Sequence, residues 1–335
     1  MVSGTAARPI ARLPLPPADG AAVRALADRV VTELQFAEPD ARLHQVALLG
    51  QELPVALRRA LVDFRLSDDG GLIIGGLPIV DEHLGSSPPV TDTPPRHDEL
   101  ARADAMLLLV ASFLGYPVSQ AGVDDGQLVR SVSPVPGHET TQLGSSSSGE
   151  LMWHNEDAYH PLRPDWVCLL CLRNPDRTAT SFARIADVPL DEDTRSLLFR
   201  PVFHIEPDTS NTASAVAAEP PPVAVLTGDA RSPFVRLDPA FMTRGPADDA
   251  SGEALETAIK AVDRELQNVS LAPGEILIID NLRSVHGRRP FTARYNGRDR
   301  WLRVVHATAD LRRSEGFRTG EHGRAVLASV GPGLE

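Results

Sequence analysis

The sequence predicts a mainly β protein with flanking helices, an antiparallel sandwich or jelly roll backed by N-terminal helices. Two observations carry this. Beyond residue 127, short β-rich runs recur at 128–133, 151–156, 166–172, 223–226, 234–237, 275–279 and 300–308, separated by Gly, Pro, Ser and Asp clusters. Before that point apolar residues recur at helical spacing instead. A chain of 335 residues with 42% apolar and 23% charged residues can bury a sizeable core, and although it exceeds the usual single-domain size, all-β sandwiches and barrels often run past about 200 residues as one domain.

In chain order, residues 1–18 are Pro-rich and read as a loose arm before a single domain over 19–335. Val23, Leu26, Val30 and Leu34 mark a first helix, and a second follows over 54–64 with Pro54 at its first turn. The run 71–75 reads as a short buried strand, 88–95 as a Pro/Thr/Ser loop, and 98–114 as an amphipathic helix. These complete a helical part over 19–120, followed by a β core over about 121–310 that one late helix, 252–267, interrupts. The stretch 144–149, Gly-Ser-Ser-Ser-Ser-Gly, is flexible by composition and reads either as an active-site loop or as a linker between strands.

A formal charge of −12 argues against nucleic acid, whose binding draws on clustered Lys and Arg. The N-terminus lacks the apolar run of a signal peptide, and no segment reads as a membrane span, so a cytoplasmic protein is expected. Cys168 and Cys171 are three residues apart on a predicted strand and so point to opposite faces. They read as buried thiols rather than a redox pair or zinc knuckle.

The chemistry concentrates around 151–160. His154 and Glu156 have strand spacing, which sends both side chains off one face toward one point. His286 stands where the apolar strand that begins at Glu275 runs out into a glycine turn. Two histidines and one carboxylate on one side of a metal leave positions for further ligands, the arrangement of non-haem iron(II) centres that take up a cosubstrate and O₂. Past the Asn296-Gly297 turn, Arg300, Leu302, Val304 and His306 share one strand face, and Trp301, Arg303 and Val305 share the other. A guanidinium among apolar neighbours needs an anion, either a structural carboxylate or a bound dicarboxylate. His160 reads as no ligand because Pro161 follows it; Asp157 reads as a hydrogen-bonding neighbour, Asp280 as a turn residue, His306 as a core histidine, and Trp153 and Trp301 as packing.

The segments 154–161, 171–180 and 286–301 together resemble the clavaminate synthase-like 2-oxoglutarate oxygenases, and within them the amino-acid β-hydroxylases of peptide-antibiotic pathways that act on arginine or asparagine. The similarity runs from about residue 71 to 306. It implies a double-stranded β-helix core, iron(II) on His154, Glu156 and His286, and 2-oxoglutarate with Arg300 on its distal carboxylate and Thr180 assisting. It also exposes departures. The free-amino-acid hydroxylases carry an arginine for the substrate carboxylate four residues after the cosubstrate arginine, where this chain has Val304. Arg130 aligns with a Gln that meets the substrate amino group, and Asp238 is the one retained member of an acidic pair that grips a guanidinium.

The expected activity is hydroxylation of an amino-acid-derived small molecule with a masked carboxylate, such as a cyclic dipeptide or a residue on a carrier protein. A free amino acid such as L-arginine is the alternative substrate, and a non-catalytic or zinc-binding cupin-like protein the alternative class.

Overall fold

A computed structural model describes residues 7–34, 37–89, 97–207, 221–244 and 249–328. Two sheets form its core. The larger orders its strands as Ala11–Pro14, Gly71–Gly75, Ile276–Asp280, Trp166–Arg173, Trp301–Thr308, Tyr116–Gln120, Ala325–Val326 and Arg318–Thr319, with Arg130–Val132 also pairing on Trp301–Thr308. The smaller orders Gln267–Ser270, Ala179–Arg184, Ser284–Arg288 and Leu151–His154.

Alternation along the strands builds three apolar layers. On Trp166–Arg173, Trp166, Cys168, Leu170 and Leu172 pack on the N-terminal helices, whereas Val167, Leu169 and Cys171 face the smaller sheet. Phe182 and Val269 meet them from that sheet, and Ala183 and Val285 turn outward to pack with Leu255, Ala258 and Val262 of helix Asp249–Glu265. Trp166–Arg173 is buried on both faces and accordingly reads as a nearly continuous apolar run. Helices Pro17–Glu33, Pro39–Gly50, Val55–Leu66 and His97–Leu114 cover the larger sheet. The two thiols are fully buried on opposite faces, and burial pushes both up to about 12.

Three expectations need correction. The arm is not loose where described: Ala11–Pro14 pairs in parallel with Gly71–Gly75, and a helix starts at Pro17; residues 1–6 lie outside the described residues, as do 90–95 of the expected 88–95 loop. The Ser/Gly stretch is pinned. Arg288 donates to Ser147 O at 2.9 Å, Ser146 Oγ at 2.7 Å and Gly149 O at 3.0 Å, and both serines are buried. The apolar run at 223–226 forms a single bridge at Val223, with the strand displaced to Leu226–Asp229. No helix among the described residues is long and apolar enough to cross a membrane.

Candidate active site

The site lies between the sheets. His154 and His286 are directly opposed on strands Leu151–His154 and Ser284–Arg288, and opposed residues of an antiparallel pair share a face. Their ring centroids are 4.9 Å apart. His286 thus belongs to a strand of its own rather than to the turn after an apolar one. Gly287 permits the approach: a Cβ there would meet Leu151 O at 2.6 Å and Trp153 N at 2.8 Å.

Glu156 reaches the histidines by another route than strand alternation, because the strand stops at His154. Two asparagines tie the turn down. Asn155 Nδ2 donates to Asn281 O and Ser284 O, both at 2.8 Å, and Asn155 Oδ1 accepts from Leu237 N at 2.8 Å. Asn281 Oδ1 accepts from Glu156 N at 2.8 Å while its Nδ2 donates to Glu156 O at 2.9 Å. Both asparagines are fully buried, so their amides are committed to this clamp. The result places Glu156 Oε2 at 3.8 Å from His154 Nε2 and 3.7 Å from His286 Nε2. Ligand atoms of the three residues all fall within 4.8 Å of one another.

This donor set fits a divalent transition metal. His154 Nδ1 lies 2.8 Å from Met152 O, which fixes the proton on that nitrogen and leaves the Nε2 lone pair for an ion. With the protein's own charges alone, burial opposes a charged His154, but Glu156 and Asp238 outweigh it and raise the imidazole to about 9. Burial and the charge of His154 push His286 down to about 3. Burial alone would raise Glu156, yet the facing histidines hold it well below the usual carboxylate range.

Arg300, immediately before strand Trp301–Thr308, is 6% exposed. Its one hydrogen-bond contact among the described residues is Thr180 Oγ1 at 3.5 Å, and its Nε has no partner. Burial lowers the guanidinium to about 10, and a bound anion would offset the cost of burying that charge. The remaining predicted residues divide. Val304 is 4% exposed and packs between the sheets. Arg303 faces the helices, donating to Asp104 at 2.7 and 2.9 Å. Asp238 is half-buried and close enough to His154 to raise its pKa. Arg130 and His306 both turn to Glu156: His306 Nε2 is 3.3 Å and Arg130 Nη2 3.8 Å from Oε1. His306 is therefore part of the site and not an ordinary core histidine.

No family model matches the chain. Individual proteins do. It is 38% identical to the enduracididine beta-hydroxylase of Streptomyces hygroscopicus, over 92% of this chain and 97% of that one. It is 34% identical to the L-ornithine/L-arginine 3-hydroxylase of Catenulispora acidiphila, over 94% and 99%. The crystal structure of the non-heme iron oxygenase OrfP in complex with Fe and alpha-ketoglutaric acid superposes with a TM-score of 0.86 at 34% identity, over 94% of this chain and 99% of that one. The chain belongs to the clavaminate synthase-like iron(II)/2-oxoglutarate oxygenases.

The two sheets of this oxygenase are thus the double-stranded β-helix that the resemblance implied. In the oxygenase Asn155 and Asn281 position Glu156. Neither stands out in the sequence beyond the place of Asn155 between two candidate ligands, because their part depends on burial and on contacts distant in sequence. Asp280 does serve its turn, accepting from Leu282 N at 2.9 Å.

Proposed function

We propose that the oxygenase hydroxylates a free α-amino acid at an unactivated C–H bond, with iron(II) on His154, Glu156 and His286 and the distal carboxylate of 2-oxoglutarate on Arg300 and Thr180. The observation that carries this reading is Arg300: a buried guanidinium whose one hydrogen-bond contact among the described residues is the long one to Thr180, in a chain that also brings a His-Glu-His set together. Iron(II) with 2-oxoglutarate and O₂ would supply the oxidising power, one oxygen atom entering the substrate and the other the succinate that 2-oxoglutarate leaves on losing CO₂. The chain contributes position. Asn155 and Asn281 hold Glu156, Met152 O sets the His154 tautomer, and Arg300 neutralises the cosubstrate at the far end.

Val304 led to the expectation of a masked carboxylate, on a cyclic dipeptide or a carrier-bound residue. The relatives named above favour the alternative, since both carry the names of amino-acid hydroxylases. A carrier-bound substrate finds no counterpart among them.

The test is to load the purified protein with iron(II) and 2-oxoglutarate and follow succinate and oxygenated product over free amino acids, their amides and cyclic dipeptides in air. Substrate-coupled succinate with L-arginine, L-ornithine, L-asparagine or a related free amino acid is expected. Turnover confined to amides or cyclic dipeptides overturns the free-amino-acid reading, and loss of the 2-oxoglutarate requirement overturns the class.

A further inference from the structure

We infer that Arg130 is the anchor for the substrate's carboxylate, which makes it a specificity-determining residue and requires the α-carboxylate to be free and ionised. The inference rests on the oxygenase reading above and adds to it the group that is recognised.

Strand Arg130–Val132 pairs antiparallel with Trp301–Thr308, and the Cα partner of Arg130 is Val304. Opposed residues share a face, so Arg130 projects on the side of Arg300, Val304 and His306, toward the interior that holds the metal-ligand set. The next residue confirms the alternation: Ser131 Oγ accepts from Trp301 Nε1 at 3.0 Å on the helix side. Arg130 is thus built into the pocket wall by register, and its side chain is only 20% exposed.

Its charge has no dedicated counterion. The nearest carboxylate oxygens among the described residues are Glu156 Oε1 at 3.8 Å and Asp124 Oδ2 at 3.9 Å, both beyond hydrogen-bonding distance. Asp124 is 57% exposed, so water competes for it. Glu156 belongs to the metal-ligand set and is also faced by His306. Among the described residues the one polar atom within reach is His306 Nε2, 3.2 Å from Arg130 Nη2. That nitrogen is 3.3 Å from Glu156 Oε1 as well, and it cannot both donate to the carboxylate and accept from the guanidinium. Donation to the carboxylate is the stronger use, which leaves the Arg130 fork without an acceptor.

A guanidinium so placed, beside the reacting centre and next to the apolar Val304 side chain, matches a carboxylate bidentately. Arg130 and Arg300 then divide the work of the pocket between two carboxylates. Arg300 is 6% exposed and Arg130 is the more accessible. Asp238, on the His154 side, gives the pocket an opposite charge for a cationic group of the same substrate.

Calorimetric titration without O₂ of the iron- and 2-oxoglutarate-loaded protein tests this, with L-arginine, L-ornithine and L-asparagine, each against its α-carboxamide. Wild type is expected to bind at least one acid on the order of 100-fold more tightly than its amide. Arg130→Met and Arg130→Gln are expected to bring that ratio to within about threefold, because the lost affinity is the anchor's share. A general structural fault would weaken acid and amide alike and leave the ratio in place. An unchanged ratio in both variants overturns the proposal, as does a wild type that binds amide and acid equally. A wild type that binds no acid of the series but still binds 2-oxoglutarate places the failure in the free-amino-acid reading, and this inference falls with it. A protein that does not bind 2-oxoglutarate places it in the oxygenase class.

Discussion

Arg300 and Thr180 separate two kinds of residue contribution. A buried guanidinium is tolerated only when an anion meets it, so its removal takes away the charge that pays for binding that anion. Arg300→Ala is expected to weaken 2-oxoglutarate binding on the order of 100-fold while iron is retained. Thr180→Val removes one hydroxyl whose contact with the guanidinium is already 3.5 Å, so a loss of only about fivefold is expected. Anaerobic titration of 2-oxoglutarate into iron-loaded variants checks both, and equal losses in the two would contradict the division. At this scale the sequence was legible where strand parity decides. It put Arg300, Val304 and His306 on one face and Arg303 on the other, as found. It was not legible where two strands meet, because register is absent from a linear pattern. Val304 looked like a lost charge, and only its pairing with Arg130 shows a guanidinium across the strand. His306 likewise acquires its meaning from Glu156, which is distant in sequence.

The elements behind the site are joined by polar pairs as well as by their apolar layers. Arg24 on helix Pro17–Glu33 donates to Glu99 on helix His97–Leu114 at 3.0 and 2.6 Å, and Val80 N donates to the same carboxylate at 2.9 Å. Glu99 is 1% exposed; burial alone would raise its carboxyl, but these donors prevail and hold it below its ordinary value. Glu99→Ala is expected to cost about 2–3 kcal/mol at neutral pH, since it strands a guanidinium and an amide. The sign of the pH dependence follows. A depressed native pKa contributes stability above the unfolded value, and that stability is lost as pH falls through the native value. The gap between wild type and Glu99→Ala should therefore shrink below about pH 4, in urea denaturation followed at several pH values. Long elements such as His97–Leu114 and Trp166–Arg173 were read within about two residues of their ends, because burial shows directly in their residue types. Helix Pro39–Gly50 was missed, its buried face consisting of Leu43, Val46, Leu49 and Gly50. The glycine after His286 reads as a turn signal, whereas Gly287 serves close packing within strand Ser284–Arg288.

At the scale of the molecule the two sheets share the residues of the proposed site. His154, His286 and Thr180 stand on the smaller sheet, while Arg130 and His306 stand on the larger, with Arg300 just before its strand. Ligands held by both sheets bind the native state and not the unfolded chain, so they stabilise the fold by mass action. At about 100 times its dissociation constant a ligand adds roughly 2.7 kcal/mol, or roughly 3–5 °C in a chain of this size. Because the proposed iron ligands and Arg300 are distinct residues, the increments should come apart by variant. Wild type is expected to gain melting temperature with iron(II) under anaerobic conditions and again with 2-oxoglutarate. Arg300→Ala should keep the first gain and lose most of the second. His154→Ala should lose the first and, with the metal gone, most of the second, because the cosubstrate then retains Arg300 alone. A chelator should return wild type to its metal-free value. Differential scanning fluorimetry reads all of these. A second gain that persists in full in His154→Ala would mean that 2-oxoglutarate binds without the metal, contrary to a site assembled from both sheets.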